Sequence, residues 1–150
     1  MAEAADTRDR TSLADVRKRR ESLHAAMVAL EAANAAPAER DWGAGVLHAL
    51  EVTVTVLHDH VTVVEAEDGL FVKIAADAPH VLARVETLRQ EHADLSARAQ
   101  SLLETCRAGA CSAGELREGV LALVTALARH RHRGADLLYE AYQVDVSAAD

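Results

Sequence analysis

The chain has 150 residues, half of them apolar but only 3% aromatic, and carries a net charge of −8. That length suits one domain, and an alanine-rich, aromatic-poor composition favours close-packed helices over a sheet core. The acidic balance, with basic clusters only at 17–20 and 129–133, argues against nucleic acid as a partner.

Residues 1–10 are polar and charged with no apolar run. They form neither a signal peptide nor a membrane anchor and are expected as a tail on a cytoplasmic protein. The first helix starts after Thr11 or Ser12. Its apolar stripe is Leu13, Val16, Leu23, Met27 and Leu30, interrupted by Arg20 and flanked by His24, until Pro37 stops it. A second helix begins near Asp41, with the seam Val46, Leu50, Thr53, Leu57, His60 and Val64. Its valine and threonine content imitates a strand, but the four-three spacing is helical. This helix either breaks across 65–69 or runs on through Phe71 to Ala75.

Asp77, Ala78 and Pro79 announce a third helix. Its seam is Val81, Val85, Leu88, His92, Leu95, Ala99, Leu102 and Cys106. After a loop over 107–114 with glycines at 109 and 114, the fourth helix spans 114–142. Leu116, Val120, Leu123, Leu127, His130, Gly134, Leu137 and Ala141 form its seam. Residues 143–150 have no periodicity and read as a second tail. Four helices on short connections predict an all-α domain over residues 11–142, an up-down-up-down four-helix bundle. Cys106 and Cys111 are expected as free thiols in a reducing compartment and make no zinc motif.

Of eight histidines, His60, His92 and His130 fall on the seams of the second, third and fourth helices. His24 and His58 lie beside a seam, and His48, His80 and His132 point further round. Counted from the turn near Gly109, His92 and His130 sit within about a turn of each other at about 1.5 Å per residue. The depth of His60 depends on the second helix. If that helix runs to Ala75, His60 is level with His92; if it stops at Glu65, His48 lies nearer the right depth. Histidines gathered at one depth of an apolar seam lose hydrogen bonds for no gain unless they bind something, and imidazole is a common metal ligand. At Gly134, one turn past His130, the seam loses its side chain and leaves a hole.

The stretches LHDHVTVVEAEDGLF (57–71), LRQEHADL (88–95) and ARHRHRGADLLYEAYQVD (128–145) resemble the hemerythrin-like (HHE cation-binding) family of actinobacterial type. The resemblance covers roughly 57–145, with the first helix matching only through His24. It implies a four-helix bundle holding iron between its helices, with carboxylates bridging two irons. This sequence departs from that ligand pattern. Val64 stands four residues after His60, Ala135 five after His130 and Ser96 four after His92.

Two irons carry at least four positive charges and need such anions, so iron is expected as haem first, and otherwise as a single non-haem ion. His92 and His130 would be ligands, His60 a third ligand or a distal partner, and His24 the first helix's contribution. Gly134, with Ala99 and Ala126, would make room, and Met27 and Phe71 would line the ring. The small ligand would be dioxygen, nitric oxide, peroxide or nitrite, with peroxidase-like oxidoreductase chemistry open. A di-iron oxygen carrier or sensor using Glu65, Glu91, Asp136 or Glu140 is the second reading. A non-metal interaction bundle is the third. Tyr139 and Tyr142 would seal the bundle end or a homodimer contact. No nucleophile elbow or phosphate-binding glycine loop occurs.

Overall fold

A computed structural model describes the backbone of residues 2–143 and the side chains of 14–143. Five α-helices are present among them: α1 (Ala2–Ala35), α2 (Trp42–Val64), α3 (Leu70–Asp77), α4 (Leu82–Ala108) and α5 (Ala113–Tyr142). A single 3-10 turn, Pro79–Val81, leads into α4. There is no strand among the described residues. The helical backbone of α1 takes in 2–10, the stretch expected as a tail. The C-terminal tail beyond Gln143 lies outside the described residues.

The valine- and threonine-rich α2 is helical because its seam buries Val46, Leu50, Thr53 and Leu57 on one side. Thr53 meets the cost of burial by donating its hydroxyl to the Ala49 carbonyl at 2.8 Å. α4 ends where Gly109 takes the left-handed conformation (φ 61°), and its N–H returns to the last turn. α5 opens on a capping box: Ser112 accepts from the Glu115 N–H, and the Glu115 carboxylate accepts from the Ser112 N–H.

Of the two courses open to the second helix, the break is the one taken. Glu65 closes α2, and Gly69 starts α3. The chain turns so tightly there that a Cβ on Gly69 would lie 2.5 Å from the Val63 carbonyl and 2.6 Å from that of Val64. Asp77 is therefore the last residue of α3 rather than the cap of a long helix, and Pro79 begins the 3-10 turn instead.

The four long helices form a closed ring of contacts, α1 on α2 and α5, and α4 on α2 and α5, with α3 laid against α4. Their apolar interior is in two parts. One holds Leu23, Leu30, Leu50, Leu57, Leu95, Leu103, Val120, Leu123 and Leu127. The other holds Val64, Phe71, Ile74, Val81, Val85, Leu88, Leu137 and Leu138.

Candidate metal centre

Between the two apolar clusters lies one polar layer, and each long helix contributes one residue to it. On α2, His60 separates Leu57 of one cluster from Val64 of the other. On α4, His92 separates Leu95 from Leu88, and on α5 His130 separates Leu127 from Leu137. On α1 the corresponding position is Arg20, between Leu23 and Val16. The residue that interrupts the stripe of the first helix is thus a member of the layer.

The three imidazoles converge. Their ligand atoms all lie within 4.8 Å of one another. Ring centroids are 5.1 Å apart for His60–His92, 5.9 Å for His60–His130 and 4.7 Å for His92–His130. His92 is 1% exposed and His130 5%. Breaking α2 after His60 does not lift this histidine out of register, because α3 continues the chain before it turns into α4. His48 is exposed, as are His58, His80 and His132.

Two of the rings are oriented by carboxylates. His92 Nδ1 is 2.9 Å from Glu65 Oε1, and His130 Nδ1 is 2.8 Å from Glu91 Oε2. A carboxylate only accepts, so each Nδ1–H donates and each Nε2 keeps its lone pair. Glu91 is held in turn by Arg133 through its other oxygen. Neither carboxylate follows a seam histidine at helical spacing. Glu65 reaches His92 from the broken end of α2, and Glu91 sits beside His92 but serves His130 on the next helix. A site read from spacing as poor in carboxylates therefore has two, both outside the ring of imidazoles.

The buried atoms left over are informative. His92 Nε2 and His60 Nδ1 are buried without a hydrogen-bond partner. Burial, followed by the charges of His92, His130, Arg20 and Arg19, lowers the His60 pKa to about 3. Burial and then His130 lower that of His92 to about 3, against the opposing pull of Glu91. Burial also lowers His130, although Glu91 works the other way. All three rings are neutral at pH 7, which is the ligating form. Three neutral imidazoles, two of them with a buried ring nitrogen that has no hydrogen-bond partner, suit a first-row divalent ion. At bond lengths near 2.0–2.1 Å, a tetrahedral ion would draw the three nitrogens to about 3.4 Å of each other, a modest contraction.

The layer forms the floor of a cavity of about 1580 Å³. Phe71, expected beside a cofactor, stacks on His92 at 5.2 Å and 11° and lines this space, as does Gly134. A Cβ at Gly134 would lie 3.6 Å from Arg20 Nη1, an ordinary contact, so the room beside it belongs to the guanidinium. The wall on α1 is made by Asp15, Val16, Arg19, Arg20 and Leu23 rather than by His24 and Met27. The stripe of α1 reaches the layer at Arg20; His24 is one turn further along, and Met27 is packed in the leucine-rich cluster. His24 is half-buried and its Nδ1 has no hydrogen-bond partner.

The chain matches no protein-family model, no curated protein and no solved structure. Among the described residues, no helix is long and apolar enough to cross a membrane.

Proposed function

We propose that this chain is a hemerythrin-like metal protein, an up-down-up-down four-helix bundle holding one ion on His60, His92 and His130. The observation that carries the reading is the convergence of three imidazoles, two buried and one half-buried, one from each of three helices, with ligand atoms within 4.8 Å. Glu65 and Glu91 support it, because a carboxylate on the far ring nitrogen fixes the tautomer and raises ligand basicity.

Three rings packed 4.7–5.9 Å apart leave no slot for a planar macrocycle between them. The preferred occupant is therefore a single non-haem ion, iron above other first-row metals because of the family resemblance. Bound there, iron would supply Lewis-acid and one-electron redox chemistry toward dioxygen, nitric oxide, peroxide or nitrite. The protein's own contributions are a dry floor, fixed ring orientations and a guanidinium beside the open side. Haem on one axial histidine is the second reading, favoured by the volume of the cavity and by Phe71 on its wall.

Metal analysis and an absorption spectrum of protein from iron-supplemented cells test both readings. The expected result is one iron per chain without a Soret band, lost in His92→Ala and His130→Ala. A Soret band replaces the first reading with the second. A protein that takes up neither iron nor zinc and keeps its melting temperature in their presence overturns both.

A further inference from the structure

A diatomic ligand needs little room, whereas the space above the three histidines is about 1580 Å³, beyond the 300–1,000 Å³ of ordinary small-molecule sites. Its walls are largely aliphatic, with Val16, Leu70, Ile74 and Leu138 rising away from the layer. Its floor carries a cation. Arg20 is 8% exposed, donates to the Arg131 carbonyl at 3.0 Å, and lines the same space as His60, His92 and His130. The acidic residues of the wall, Asp15 and Asp68, are exposed.

Charge balance on the floor points the same way. A divalent ion on the histidines adds two positive charges in a desolvated place, and an anion entering from the cavity offsets them. An anion with an aliphatic body fits both the floor and the walls.

We propose that the cavity binds an aliphatic monocarboxylate, its head between Arg20 and the histidine layer and its chain along Val16, Leu70, Ile74 and Leu138. This deepens the metal reading and rests on it only for the tighter of two affinities, since Arg20 and the walls do not depend on the ion.

Decanoate, titrated calorimetrically into the full chain both metal-free and zinc-loaded, tests it, with zinc content measured on the same samples. One-to-one binding to both forms is expected, tighter with zinc. Acetate, which lacks the chain, and decanol, which lacks the charge, should each bind at least about tenfold more weakly. Arg20→Met should weaken decanoate binding to the metal-free form about tenfold or more. Leu70→Trp, at a half-buried position, should block the chain and leave zinc uptake intact. Zinc uptake without decanoate binding overturns this inference and spares the metal reading; decanoate binding without zinc uptake does the reverse. Decanol binding as well as decanoate, or acetate binding as well, overturns it too. So does a haem that fills the cavity and that decanoate fails to displace.

Discussion

Lowering the pH from 7 to 5 perturbs the histidine layer without changing the sequence. His60 and His92 have pKa values near 3 in the folded chain, against 6.5 for a free histidine. The folded value is the depressed one. The stability these residues contribute is therefore complete above pH 6.5 and is lost as the pH falls toward 3, because only the unfolded chain takes up the protons. Between pH 7 and 5 an unfolded histidine goes from mostly neutral to almost fully charged, while the folded one stays neutral. Each of the two then costs about 2 kcal/mol, or about 4 kcal/mol together, a large share of the 5–15 kcal/mol typical of a domain. His130 is shifted in the same direction and adds to the loss.

Urea unfolding followed by circular dichroism, at pH 7, 6 and 5 with a chelator present, measures the effect. In His92→Asn the slope between pH 7 and 5 should fall by about 1 kcal/mol per pH unit, the contribution of one histidine. A wild-type stability at pH 5 within about 1 kcal/mol of that at pH 7 refutes the reasoning. So does an unchanged slope in the variant. Either result means that the rings accept protons in the folded state, and then they are not a dry, neutral ligand set.

Replacing Glu91 by Gln should lower zinc affinity about 10- to 100-fold in a competition assay with a chromophoric chelator, because His130 loses its anionic partner. Gly69→Ala forces a methyl against three backbone carbonyls and should destabilise by about 2–3 kcal/mol in urea. Gly134→Ala meets only Arg20 Nη1 at 3.6 Å and should stabilise by about 0.5–1 kcal/mol through helix propensity. Ser112→Ala removes one half of a capping box and should cost about 1 kcal/mol, read in the same urea assay.

The four-three spacing of apolar residues was enough to find all four long helices, including α2, whose valines and threonines imitate a strand. It also ranked the histidines: the three on seams are the three that converge, and those further round are exposed. Periodicity describes one helix at a time, however, and the carboxylates act between helices. Spacing along α2 does not pair Glu65 with His60, on its own helix, because its partner is His92 on α4. Glu91 belongs to His130 on α5 for the same reason. Two signals were present but passed over. Arg20 breaks an apolar stripe at the layer position, and an interrupted seam marks a buried polar group as much as a weak helix. Ser112 and Glu115 have capping-box spacing, which places the start of α5 ahead of Gly114.

The division of the interior into two apolar clusters bears on how the sequence can change over time. Leu50, Leu103, Val120 and Leu123 lie in the cluster that does not contain Phe71, Ile74 or Leu138. Substitutions at sites that share no neighbours act independently. The leucine-rich end can therefore exchange residues, lose volume in one place and regain it in another, while the ligand-facing end keeps its shape. Relatives of this protein should diverge freely in the first set and vary in the second only together with what they bind.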